Sequence, residues 1–128
     1  MAVNSKQKGA VAERELAKIL REHGFTDARR TAQYCGSSGD AADVIGIPGF
    51  HLECKRQEKM HLYDWYAQAV RDSAETGETP VVVHRASRKP WLVSLALDDF
   101  LFILNELRTC SEEISRQSQL EFMNPPEL

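Results

Sequence analysis

Apolar and polar positions change period several times along the chain, and the changes divide it into helices and short strands. Residues 8 to about 23 place Ala12, Leu16, Ile19 and Leu20 on one face, with Arg14, Lys18 and Arg21 largely off it. That is the spacing of an amphipathic helix, and Gly24 ends it. Asp43 opens an apolar run, Val44-Ile45-Gly46-Ile47, and after Pro48-Gly49 a second run follows, Phe50-His51-Leu52-Glu53-Cys54-Lys55. The two read as short strands joined by a Pro-Gly turn. A second helix is predicted over residues 62 to about 75, with Leu62, Tyr66, Ala69 and Val70 on its packed face. Residues 79–84 and 91–97 supply two further strands around a basic turn at residues 85–90. A last helix is predicted from residue 100 to about 107, so rich in Phe, Leu and Ile that much of its circumference needs cover, either from the core or from a second copy. Beyond Arg108 the chain turns polar and acidic, so residues 1–108 are expected to form one folded domain and residues 109–128 a mobile tail with short helical content.

The second strand carries charge where a simple hairpin would not. Side chains alternate with period two, so His51, Glu53 and Lys55 project from one face while Phe50, Leu52 and Cys54 take the other. Asp43 stands at the start of the first strand, so three ionisable groups can converge at one end of a small sheet. Mg²⁺ takes hard oxygen ligands and is usually held by one or two carboxylates plus substrate phosphate, a requirement that Asp43 and Glu53 meet. Lys55 can then steady the charge that develops on phosphorus. By itself Glu-x-Lys is ordinarily a solvated surface pair. Register is also decisive, because a strict two-residue turn at Pro48-Gly49 sets Asp43 opposite Cys54, on the wrong face. The site therefore requires a three-residue turn or a bulge, with Gly49 as its place.

Three other positions bear on this chemistry. Glu13 falls on the apolar stripe of the first helix with Leu16 and Leu20, and is either a rim residue paired with a nearby Arg or Lys or a third acid of the metal site. The Ser-Gly loop containing Ser37 and Ser38 suits phosphate contact through its backbone amides, with Arg29 or Arg30 adding charge; an ordinary solvated loop fits equally. Gln68, on the second helix, either looks back towards the strand site or is solvated.

Composition narrows the setting. A chain of 128 residues with 42% hydrophobic content can bury a core without cross-links. The three cysteines show neither CxxC nor Cys/His spacing, so no disulfide framework or zinc site is indicated, and a reducing cytoplasm is expected. No signal peptide or membrane span is visible. The net charge of −3 is unevenly spread, since residues 1–90 carry 14 Lys and Arg against 12 Asp and Glu, and residues 91–128 carry 2 against 7. The first part remains a plausible DNA-facing body.

The run Lys8-Gly9-Ala10-Val11-Ala12-Glu13-Arg14-Glu15-Leu16, followed by the Ser-Gly loop, Asp43 and Glu53-Cys54-Lys55, resembles the archaeal-type Holliday-junction resolvases of the PD-(D/E)XK nuclease superfamily. Ala42 stands where the superfamily's name has proline, and the interval from Asp43 to Glu53 is short for the archaeal proteins. The resemblance implies an α/β fold with a small mixed central β-sheet flanked by helices, of restriction-endonuclease-like architecture. It implies catalytic roles for Glu13, Asp43, Glu53 and Lys55, with Mg²⁺, or Mn²⁺ in its place, held by Asp43, Glu53, Glu13 and the Cys54 backbone carbonyl. Arg14 and Arg30 correspond to basic residues near the DNA face, and Lys8, Arg29, Ser37, Ser38, Arg56 and Gln68 are expected beside them. The implied activity is metal-dependent hydrolysis of four-way DNA junctions by a homodimer in the cytoplasm of a bacterial, archaeal or virus-infected cell. A same-fold nuclease acting on flaps, nicks or duplex DNA is the alternative, and a non-catalytic DNA-binding domain is the reading in which Glu53 and Lys55 are only a surface pair.

Overall fold

The computed structural model describes residues 5–31 and 42–123. In chain order the elements are α1 (Ser5–Glu22), β1 (Arg29–Arg30), β2 (Val44–Ile45), β3 (Phe50–Arg56), α2 (Leu62–Ser73), β4 (Thr79–Arg85), β5 (Leu92–Ser94) and α3 (Leu97–Met123). The five strands form one sheet in sequence order, antiparallel except for the β3–β4 pair. This is the small mixed α/β sheet expected. The parallel pair requires a crossover, which α2 supplies.

β3 is the central strand, and His51, Leu52, Glu53 and Cys54 are all buried. Leu52 and Cys54 pack with Val44, Val81 and Val83 against Ala12, Leu16 and Ala17 of α1. On the other side Val82 packs with Trp65 and Ala69 of α2. Two helices thus close both faces of a strand whose alternate residues are apolar and ionisable. Small residues at positions 12, 17 and 69 let the helices lie close to the sheet.

The end of α1 sets the path of the chain into β1. Gly24, at φ 98°, takes the left-handed conformation, Phe25 N–H reaches the Leu20 carbonyl at 3.1 Å and Gly24 N–H the Arg21 carbonyl at 3.1 Å. These bonds satisfy carbonyls that the last helical turn leaves open. Arg21 Nη1 then donates to the Ala28 carbonyl at 2.9 Å.

The β2–β3 register answers the question posed by the hairpin. Val44 pairs with Leu52, so Asp43 lies across from Glu53 and the reversal is centred on Pro48. Phe50 N–H closes the turn on the Ile47 carbonyl at 3.2 Å, and Gly49 adopts φ 85°. The odd-length turn is the form the site required. Gly46, at φ 103°, ends β2 where the Asp27–Ala28 backbone crosses it so closely that a Cβ would overlap the Asp27 carbonyl.

The chain divides into two compact units, Met1–Leu95 and Ala96–Leu128. In the second unit α3 does not stop near residue 107 but continues to Met123. The polar stretch 108–123 has no Gly or Pro and is largely built of helix formers, and Asp98 and Asp99 lie in the first turn, where the helix dipole favours acids. None of its residues is buried. β5 is shorter than the strand predicted over residues 91–97, with Trp91 and Leu95 packed against the α1-side core.

Gly46→Ala combines an unfavourable φ with a backbone overlap, and is expected to lower stability by roughly 2–4 kcal/mol in urea denaturation. Gly49→Ala, where a Cβ meets nothing within 4 Å, is expected to lower it by only about 1 kcal/mol.

Candidate active site

Asp43 is fixed by backbone on both sides. Thr31 N–H donates to its carbonyl at 3.1 Å, and the Thr31 hydroxyl donates to the Ala42 carbonyl at 2.7 Å. Asp43 N–H pairs with the Leu52 carbonyl at 3.0 Å, and its carboxylate Oδ2 accepts the backbone N–H of Cys54 at 2.8 Å. The side chain therefore turns towards β3. Glu53 lies beside it, only 1% exposed, with its Oε1 3.0 Å from Nε2 of the fully buried His51. Lys55, two residues further along the same face, donates through Nζ to Gln68 Oε1 at 3.0 Å. Gln68 is thus engaged with the strand and not merely solvated.

The charges do not balance. Burial and the neighbouring Glu53 push the Asp43 carboxyl up to about 7, opposed by the Cys54 N–H and reinforced by Glu13. Burial and Glu53 also raise Asp72, on α2. The hydrogen bond to Glu53 raises His51 above the ordinary histidine value, although burial works against it. Burial pushes the Cys54 thiol well above its usual range, which leaves it an inert core residue. Such a crowd of acids is what a divalent cation relieves. Asp43 and Glu53 offer it oxygen donors, and ligand atoms of His51, Glu53 and Asp72 lie within 4.8 Å of one another. The donor chemistry fits a divalent cation.

Glu13 is paired with an arginine, as its reading as a rim residue expects. Its Oε2 pairs with Arg30 Nε at 2.5 Å, yet its charge is felt at Asp43. Arg30 is accordingly an internal partner of an acid and not a free cation on the surface. Arg56 is only half exposed and its Nε is buried without a hydrogen-bond partner among the described residues. Arg14 and Arg29 are exposed, and Lys8 is half-buried on α1. Ser37 and Ser38 lie outside the described residues. In the basic turn, Arg85 is committed to Glu15 at 2.7 Å and stacks 5.6 Å from the Trp91 ring centre, while Arg88 and Lys89 are exposed.

His51 and Asp72 were absent from the metal set predicted by sequence. His51 shares the strand face of Glu53, and Asp72 falls three residues after the buried Ala69 and seven after the buried Trp65. An acid on the inward stripe of a helix is the signal that singled out Glu13, and it applies equally to Asp72.

An Asp at the head of one strand, Glu-x-Lys on the next, and a mixed sheet between helices define a PD-(D/E)XK nuclease. The chain matches the family of phage putative PDDEXK endonucleases over residues 4–121 and belongs to it. Among solved structures it is similar to Hjc of Archaeoglobus fulgidus, a Holliday junction resolvase from an archaeal hyperthermophile, with a TM-score of 0.51 and 22% identity over 66% of this chain and 74% of that one. At this identity the likeness establishes the fold. No curated protein matches the chain significantly. Among the described residues no helix is long and apolar enough to cross a membrane.

The raised Asp43 carboxyl makes stability pH-dependent. Below about pH 4 Asp43 is protonated in both folded and unfolded chains. As pH rises towards about 7 the unfolded chain releases that proton while the folded chain keeps it, so stability falls across this window. Asp43→Asn removes the loss and keeps an acceptor for the Cys54 N–H. In EDTA the variant is expected to be more stable than wild type at pH 8, by up to roughly 4 kcal/mol, with the gap closing towards pH 4. Adding Mg²⁺ at pH 8 should raise the melting temperature of the wild type and leave the variant almost unmoved.

Proposed function

We propose that this chain is a structure-selective DNA endonuclease that resolves four-way junctions by Mg²⁺-dependent phosphodiester hydrolysis as a homodimer. The observation that carries the reading is the register placing Asp43 across from Glu53, with Lys55 on the same face. Asp43 and Glu53 would hold Mg²⁺, or Mn²⁺ in its place, with the Cys54 carbonyl and Glu13 at its edge. When bound, the cation supplies Lewis-acid stabilisation of charge on the phosphate oxygens. Lys55, aimed by Gln68, stabilises the negative charge that grows on those oxygens as water attacks phosphorus and the bridging P–O bond breaks.

Arg14 and Arg29 are exposed cations suited to phosphate contact, and recognition through phosphate positions reads the shape of the DNA more than its sequence. Two copies related by a two-fold axis match the near-symmetry of a junction. α3 offers a surface for the pairing. Phe100, Ile103, Leu107, Cys110 and Ile114 follow one another at alternating three- and four-residue steps, and all are exposed except the half-exposed Ile103.

The deciding experiment compares cleavage of a synthetic four-way junction with matched flap, nicked and duplex DNA, in Mg²⁺ or EDTA. Paired symmetric nicks confined to the junction are expected. Preferential cutting of another substrate would replace junction resolution by that activity, and no metal-dependent cutting would leave a DNA-binding domain.

In the same assay Glu53→Ala and Asp43→Ala should lose cutting by about 10³-fold or more, and Lys55→Ala by about 10²–10³-fold, while each keeps its affinity for the junction. Leu107→Glu should convert a dimer to a monomer by light scattering; a wild-type protein that is already monomeric would rule out the pairing.

A further inference from the structure

His51 is fully buried in the centre of the sheet, two residues before Glu53 and opposite Pro80 of β4. Its Nε2 lies 3.0 Å from Glu53 Oε1, and its Nδ1 is buried with no hydrogen-bond partner among the described residues. These two facts fix where the proton is. A proton on Nδ1 alone would leave a buried N–H unsatisfied and turn the bare Nε2 lone pair onto a carboxylate oxygen. With the proton on Nε2, the ring donates to Glu53.

We infer that His51 is a positioning residue for Glu53: its Nε2–H occupies Oε1 and turns Oε2 towards Asp43 and the cation site. The inference rests on the reading of Glu53 as a cation-holding residue. A buried carboxylate two bonds from its Cβ can turn towards either Asp43 or Asp72, and the charge of each acts against it. The imidazole removes that freedom. Ligating carboxylates are characteristically held by such outer hydrogen bonds, and losing one weakens metal affinity by about 10- to 100-fold. Nε2 does not itself serve as a ligand to the cation, because ligation there would move the proton to Nδ1, which meets no acceptor among the described residues.

The test measures Mg²⁺ binding by calorimetry without DNA, and the Mg²⁺ dependence of junction cleavage, in wild type, His51→Gln, His51→Leu and Glu53→Gln. A glutamine amide can place an N–H near the position of Nε2; leucine fills the space without a donor. His51→Leu should weaken Mg²⁺ binding by about 10- to 100-fold and shift the cleavage midpoint equally, His51→Gln should stay within about threefold of wild type, and junction affinity in EDTA should be unchanged in both. A leucine variant with wild-type Mg²⁺ dependence, or a glutamine variant as impaired as the leucine one, overturns the inference. Should His51→Leu fail to fold, nitrogen NMR of histidine-labelled wild type decides: the Nε2 proton must persist when Mg²⁺ is added, and its loss identifies a ligand instead. Glu53→Gln separates the two levels. If it leaves Mg²⁺ binding intact, the reading of Glu53 is wrong; if it abolishes binding while His51→Leu does not, only the role of His51 fails.

Discussion

The turn between β2 and β3 is the constraint on which the site depends. Side chains alternate across a sheet, so a turn one residue shorter would carry Asp43 to the α1 face and leave Glu53 buried among its remaining neighbours. Two glycines with positive φ and the closure of Phe50 on Ile47 hold the odd length. Thr79 at the start of β4 adds a further clamp, donating its N–H to the Gly49 carbonyl at 2.9 Å. The turn is therefore tied to the strand that runs parallel to β3, and the register of the hairpin is locked into the rest of the sheet.

That register brings like charges together in a place that would otherwise be a core. Leu52 and Cys54 contribute ordinary burial against α1, while His51 and Glu53 on the opposite face are enclosed as fully as any valine of the sheet. The raised Asp43 and Asp72 carboxyls express the cost of this arrangement. A fold that keeps acids where they repel one another stores binding energy for a cation, at some loss of stability in its absence. Around this centre the fixed partners are arranged in pairs: Glu13 with Arg30, Glu53 with His51, Lys55 with Gln68. Each ionisable group on the face thus arrives with one orientation.

A further link joins α1 to the far edge of the sheet. Glu15 Oε1 accepts from both Arg85 Nη1 at 2.7 Å and the Trp91 indole at 3.1 Å, across 70 and 76 residues of sequence. Its partners come from a strand end and a turn that no local spacing connects to it. Arg85 was visible as part of a basic turn, yet its charge is spent inside the protein.

Local pattern was sufficient for the order and type of the three helices and of strands β2 to β5, because helical and strand periods are properties of neighbouring residues; the two-residue β1 shows no such period. It was sufficient, too, for the face shared by His51, Glu53 and Lys55, and for the need of an odd turn between Asp43 and Glu53. It placed the end of α3 too early, because a polar stretch without Gly or Pro continues a helix that no apolar period marks. Which acids meet was decided by tertiary structure alone. Asp72 reaches Glu53 only because α2 crosses over β3 to start β4, and Arg30 reaches Glu13 only because β1 returns beside α1. Sequence determined what each residue could do; the packing of two helices on opposite faces of one strand decided which of them do it together, since contact between distant residues depends on how the elements are placed in space and not on spacing along the chain.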